Sequence, residues 1–440
     1  MKKKTLFVLF VLILLILGGM GSWYFSKSKN PVPPDMGPQG PPPVDINWDQ
    51  PYVFGKQGYE PGLVVDSKGI MYYTAHKNLD DKTSWDYLAS WFFTSRDNGK
   101  TWYSPTDPMP LGRKWQRYLG DEGDIAVDGQ DNIYFVDTYL VDNHLHVWDG
   151  QGDWQYSEHV QKTGGMDDRP WITAQGTKIL HYLGNNGGEV DGGRYWYYRS
   201  TNGGRTWERY IPVPGNGWAL VDAERKGEHA YIISESEVDA PADILLYVTS
   251  DSGQTWNWDK PITIAHRDGP GREYPIVCAG PEGQVWALWN DASGGVDNGT
   301  QIFVGWSVDY GMTWNYSNIT PFSGYFDYPA LNVGDDGSLA VAFYATDDLP
   351  VSDKSEWYVM GAMQRDAALD PIKFNFSRAD PKPVYVGSNL HALHDFFEIG
   401  VGPDGYLNIA YQYYVGPDNG RSDLYFVRGT LPDNQTAQTP

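Results

Sequence analysis

The sequence predicts an all-β chain, a seven-bladed β-propeller of four-stranded blades whose ring is closed by an N-terminal strand and preceded by one N-terminal transmembrane helix or signal segment. Three observations predict it. A turn motif recurs four times, a two-strand unit recurs seven times, and the composition favours strands and turns, with 50 Gly, 19 Trp and 31 Tyr and no long stretch of helical periodicity.

The turn motif runs Thr94 to Trp102, Ser200 to Trp207, Ser250 to Trp256 and Ser307 to Trp314, with the pattern S-x-D/N-x-G-x-T-W. Each copy follows an apolar run that ends in Ser or Thr, so each reads as a hairpin turn. A short Asp or Asn side chain accepts hydrogen bonds from backbone N–H groups a few residues on, and Gly takes the positive φ that a β-branched residue avoids. Thr then restarts the strand and Trp packs inward. From Trp207 to Trp256 is 49 residues, from Trp256 to Trp314 is 58, and from Trp102 to Trp207 is 105, about two periods. Trp154, in the degenerate turn DGQGDW, stands where the missing copy belongs.

These turns resemble the Asp-box (BNR repeat) of the sialidase superfamily of β-propellers, carried here by Asp97, Asn202, Asp251 and Asp309 with Trp102, Trp207, Trp256 and Trp314. In that family the box lies on the outer, lower hairpins and away from the active site, so the resemblance implies a fold and leaves the activity open. The family's Arg-x-Pro motif at the first inner strand is not matched. The corresponding stretch is Gly58-Tyr59-Glu60-Pro61, with Tyr and Glu where the arginine would grip a substrate carboxylate. True sialidase activity is therefore not what the chain implies.

The second repeat is an apolar strand, a Gly turn and an aromatic-rich strand, beginning at Pro61, Asp124, Pro170, Ala219, Pro275, Pro329 and Phe397. Seven units give seven blades, with the first strand of each nearest the axis. The last unit lacks a fourth strand, which Tyr52 to Phe54 would supply, removing the exposed edge.

Ahead of the repeats, residues 5 to 25 carry no charge and follow Lys2, Lys3 and Lys4. Twenty-one uncharged residues are long enough to span a bilayer, and Trp23, Tyr24 and Phe25 before Lys27 and Lys29 form an interfacial belt. We therefore read 1–30 as an uncleaved membrane anchor, with a cleaved signal segment as its alternative, N-terminus inside and the rest outside. Residues 31–50 form a proline-rich linker, 51–430 the propeller and 431–440 a polar tail. The expected location is a bacterial or archaeal cell membrane, single-pass, or the exterior if the segment is cleaved. The lone Cys278 agrees, since it forms no internal disulfide, and it reads as a buried strand residue.

Repeat register makes positions readable. Two residues before each unit stand Tyr59, Glu122, Asp168, Gly217, Glu273, Asp327 and Asp395, which should converge on the upper mouth of the central channel. Glu60, Arg169, Trp218, Arg272, Tyr274, Tyr328 and His394 are interleaved with them. The upper loops are acidic too, among them Glu235, Glu237, Asp291, Asp297, Asp347 and Asp348. Beyond residue 30 the chain holds 28 basic against 56 acidic residues, a field that repels nucleic acid and excludes it as a partner.

The primary expectation is a membrane-anchored extracytoplasmic module that recognises a glycan, a cation or a cell-surface protein through this acidic face. The alternative is a sialidase-like glycoside hydrolase or lyase. For hydrolysis, Asp168, Glu273, Asp327 and Asp395 are the candidate catalytic carboxylates, because crowded acids split their pKa values into an acid and a base. Tyr59, Glu60, Glu122, Arg169, Trp218, Arg272, Tyr274, Tyr328 and His394 are the candidate ligand-binding residues, with Tyr328 and Trp218 as sugar platforms and His394 with Tyr328 as the lyase pair. A structural scaffold of the cell envelope is the second alternative. No cofactor is required by these readings. Gly/Asp-rich loops such as Asp291 to Gly299 have oxygen ligands enough for calcium without the spacing of a known calcium loop. A basic aromatic patch, Arg113 to Tyr118, is expected to dock on the acidic face.

Overall fold

The computed structural model describes residues 44–77, 88, 90–104, 123–138, 143–160, 168–185, 194–215, 217–237, 241–271, 274–365, 372–416 and 421–432, all within one compact unit, Gly40–Pro440. The expected anchor, the proline-rich segment up to residue 43 and the Arg113 to Tyr118 patch lie outside them. Among the described residues no helix is long and apolar enough to cross a membrane.

The chain is all-β, built from four-stranded antiparallel sheets in an arrangement consistent with a propeller. The simplest sheets follow chain order, as in Asp124–Val127, Ile133–Asp137, His144–Trp148 and Trp154–His159. Each sheet's first strand touches the first strand of the next, and Ile399–Val401 touches Tyr52–Val65, so the first strands form a closed ring. Alternation explains the packing: the two faces of a sheet are both apolar and each meets a neighbouring sheet. Trp286, Leu288 and Ile302 of one sheet, for example, pack with Phe326, Val341 and Phe343 of the next.

Tyr52–Val65 serves two sheets. Its first part pairs with Arg421–Thr430 through Tyr52 opposite Phe426, Val53 opposite Tyr425 and Gln57 opposite Asp423. Its second part pairs with Met71–Lys77, from Gly58 opposite Lys77 to Val65 opposite Met71, with a register shift between Tyr59 and Gly62. Just ahead, Asn47 and Trp48 pair with Thr430 and Gly429, and Val44 bridges Met363 in the preceding sheet. A strap of chain thus crosses from one sheet to the next.

The four repeated turns share one geometry. Asp97 accepts from the Thr101 amide at 2.9 Å and from its hydroxyl at 2.6 Å. Asp251 and Asp309 repeat both bonds on Thr255 and Thr313, and Asn202 accepts from the Thr206 amide at 3.0 Å. The Thr101 hydroxyl and amide hold the Asp97 carboxyl below its usual range. Glycine is required twice over. Gly99 and Gly204 have φ of +79° and +81°, and a Cβ on either would come within about 2 Å of Phe426 or Leu145 in the preceding sheet. Each turn therefore docks on its neighbour, and Trp102 follows it there, 5.0 Å from Phe426 between ring centroids. The degenerate turn before Trp154 keeps the Asp logic, with Asp149 accepting from the Gln151 and Asp153 amides. Cys278 is buried, as expected, its thiol donating to the Leu331 carbonyl.

Candidate active site

The ring of first strands encloses an axial cavity of about 240 Å³. Side chains facing it stitch one first strand to the next. Asp124 accepts from the Ile172 amide at 2.6 Å, Asp222 from the Ala279 amide at 2.8 Å and the Thr173 hydroxyl at 2.9 Å, Asn332 from the Val401 amide at 2.9 Å, and Glu398 from the Leu63 amide at 2.8 Å. In each case a sheet borrows an acceptor from its neighbour for an N–H that strand pairing leaves over. Burial pushes all three carboxyls up, Glu398 to about 7, and repulsion from Glu398 adds to the rise at Asp124.

That shift has a sign. A carboxyl whose pKa is higher folded than unfolded stabilises the fold most where it is protonated, and that contribution is lost as pH rises from the unfolded pKa through the folded one. The melting temperature should fall between about pH 5 and about pH 8. Glu398→Gln keeps an acceptor for Leu63 and should flatten the fall. A wild-type slope in the variant would locate the proton elsewhere.

The upper end of the cavity is closed by aromatic side chains. Trp171 meets Tyr274 and Phe396, each at 5.1 Å between ring centroids, and Trp218 meets Tyr274 at 4.9 Å. Phe396 comes from the approach to Ile399–Val401 and Trp171 from Asp168–Gln175, so the plug reaches across the ring. Arg194 stacks on Trp218 at 4.1 Å.

Beside the plug, Tyr59 is held between two imidazoles. Its ring stacks on His394 at 3.9 Å with 5° between planes and lies 4.2 Å from His76, whose Nε2 is 3.4 Å from the Tyr59 hydroxyl. His76 is buried, while Tyr59 and His394 are half-buried. Two left-handed residues set this up, Glu60 with φ 52° and His394 with φ 60°. Non-glycine residues in that region carry strain and are held only by surrounding bonds. Here the Glu60 amide donates to Gln412 Oε1 at 2.8 Å, the Asp395 amide donates to Glu60 Oε1 at 3.1 Å, and the Gln412 side-chain amide donates to the Leu393 carbonyl.

The expected ring of mouth residues is only partly brought together. Tyr59, Glu60, Asp395 and His394 meet, and Trp218 and Tyr274 meet in the plug. Asp327 is 1% exposed within its sheet, opposite Tyr344, rather than open at the mouth. Tyr328 and Tyr274, expected to face a ligand, are 1% and 4% exposed, so their ring faces are spent on packing. The Tyr328 hydroxyl donates to the Leu390 carbonyl at 2.8 Å. Glu235, counted among the loop acids, is buried against Arg267. Glu122, Arg272 and Glu273 lie outside the described residues; Asp168 and Arg169 begin the strand Asp168–Gln175, and their side chains are not described. His76, Trp171, Phe396 and the channel carboxylates Asp124, Asp222 and Glu398 were not expected. Among the described residues no group of three His, Cys, Asp or Glu could hold a metal.

No family profile and no curated protein matches this sequence. Solved structures do. An ulvan lyase of a polysaccharide lyase family matches with TM-score 0.51 and 11% identity over 85% of this chain and 95% of that one. A fungal alcohol oxidase in complex with copper matches with TM-score 0.53 and 10% identity over 88% of this chain and 76% of that one. The NanB sialidase of Streptococcus pneumoniae matches with TM-score 0.45 and 13% identity over 90% and 71%. What is shared is the fold. At such identities the site residues must speak for the chemistry.

Proposed function

We propose that the chain is a seven-bladed propeller of the sialidase superfamily, with Asp-box turns on its lower face, that cleaves a uronate-containing glycan by β-elimination at its upper face. The observation that carries this reading is Tyr59 held between His76 and His394. A binding platform has no use for titratable groups gathered around a phenol, whereas elimination needs a base and an acid within reach of adjacent carbons. The base takes the proton from the carbon next to the uronate carboxyl, the C–O bond to the leaving sugar breaks, a C=C bond forms, and the leaving oxygen takes a proton. Tyr59 and His394 face the substrate and supply these two roles. His76, behind Tyr59, is a positioning residue that receives or returns the phenol proton. Arg194 on Trp218 offers the substrate carboxylate positive charge on the same face. The likeness of fold to an ulvan lyase is in keeping with this, since one solved protein of this architecture is a polysaccharide lyase.

The seven-blade count rests on the closed ring of first strands and on Tyr52–Val65 completing the last blade. No cofactor takes part in the steps above. Residues 5 to 25 anchor the chain in a membrane with the propeller outside.

The test is incubation of the full chain with a panel of uronate-containing and neutral polysaccharides. Products with the ultraviolet absorbance of an unsaturated uronate are expected. New reducing ends without that absorbance would make the enzyme a hydrolase, and no product from any glycan would leave a recognition module.

A further inference from the structure

The four box turns share one bonding pattern, and the first and third x positions of S-x-D/N-x-G-x-T-W are exposed in every copy. In three copies the x positions carry no large apolar side chain: Arg96, Asn98 and Lys100; Thr201, the buried Gly203 and Arg205; Ser250, Ser252 and Gln254. In the fourth they are Val308, Tyr310 and Met312, with Tyr316 on the strand that follows. Their exposures are 57%, 40%, 62% and 54%, which makes this hairpin carry four of the eight exposed large apolar side chains of the described residues. Nothing in the turn's own bonding asks for them, because Asp309, Gly311 and Thr313 make the same contacts as their counterparts. Two of the four are partly packed, Tyr310 stacked on His229 at 4.1 Å and Tyr316 edge-on to Trp289 at 6.0 Å. An exposed apolar tip among turns that are otherwise polar marks a contact.

The place of the tip says what it contacts. Gln301–Ser307 is the third strand of its sheet and ends at this turn; Glu356–Gln364 is the third strand of the next sheet, and Val44 bridges Met363 close to its end. Equivalent strands of neighbouring blades run the same way, so the chain enters the propeller on the box-turn face, one blade from the apolar tip. The residues before Val44 include the uncharged segment 5–25. We infer that the Val308–Met312 turn rests on the surface of the lipid bilayer that holds this segment, fixing the propeller with its box-turn face down and the Tyr59 mouth away from the membrane. Tyr and Met at the acyl boundary suit such a contact, and the acidic body would make it firmest on uncharged lipid. The inference rests on the anchor proposed above and is independent of the glycan chemistry.

The test uses the full chain in phosphatidylcholine vesicles carrying a quencher on the lipid. An environment-sensitive dye is placed at Met312→Cys and, in separate samples, at Lys100→Cys and Gln254→Cys, the same position of two other turns. Cys278 is buried, and the unsubstituted chain controls for it. Strong quenching and a blue shift at 312, with little at 100 and 254, are expected, and Val308→Ser with Tyr310→Asn in the 312 background should reduce both. Equal quenching at the three sites, or none at 312, overturns the contact. A blue shift at 312 that is insensitive to the lipid quencher and fades on dilution would assign the tip to a second copy instead. Flotation of the same vesicles reports the anchor separately, and a chain that stays behind removes anchor and contact together.

Discussion

Tyr59→Phe is expected to lower the turnover of a cleaved glycan by about a hundredfold or more while leaving KM within a fewfold. The change removes one oxygen. The ring keeps its stack on His394 and its place beside His76, and the strand register that sets Tyr59 opposite His76 does not involve the hydroxyl. An unchanged melting temperature with lost turnover would put the phenol in the chemistry. His76→Gln should then show a smaller loss together with a displaced pH–rate profile, because a neutral amide can hold the phenol but cannot exchange a proton with it. Full activity in Tyr59→Phe would remove the site, whatever the substrate.

The largest expected effect on stability lies far from the mouth, in the strap. Trp48→Ala should cost about 3 kcal/mol, the low end for emptying a buried tryptophan site, since Trp48 is only half-buried. Its ring covers Gly361 and Gly429, where a Cβ would come within 3 Å of it, and its indole N–H donates to the Ser377 hydroxyl at 2.8 Å. Those partners belong to two different sheets, so the side chain holds a seam shut. Trp48→Phe, which loses the hydrogen bond but keeps much of the contact, should cost less than half as much. Denaturant titration of the two variants checks both figures, and a cost below about 1 kcal/mol for the alanine variant would mean the strap is dispensable.

The turns were legible because their chemistry is local: Asp97, Gly99, Thr101 and Trp102 satisfy one another within a few residues. The first strands were legible because one pattern of apolar strand, Gly turn and aromatic-rich strand recurs along the chain. Tyr59 and His394 were legible by register, but their meeting was not, since it depends on two left-handed residues from opposite ends of the chain. His76 left a signal, near the end of the first repeat's second strand, directly across from Tyr59. Asp124, Asp222 and Glu398 left little, because alternation along an inner strand does not say which face looks at the axis. Tyr274 and Tyr328 misled for a related reason. Aromatic residues beside a mouth can line it or plug it, and only packing across the ring decides.

The strand Tyr52–Val65 has one more consequence. An open array of repeats frays from its ends, where a terminal unit has a neighbour on one side only. Here the first repeat and the last share a single continuous strand, so neither is terminal. Amide hydrogen exchange in Leu407–Gly416 and Met71–Lys77 should be as slow as in Leu339–Thr346, and the ring should lose its protection in one cooperative step.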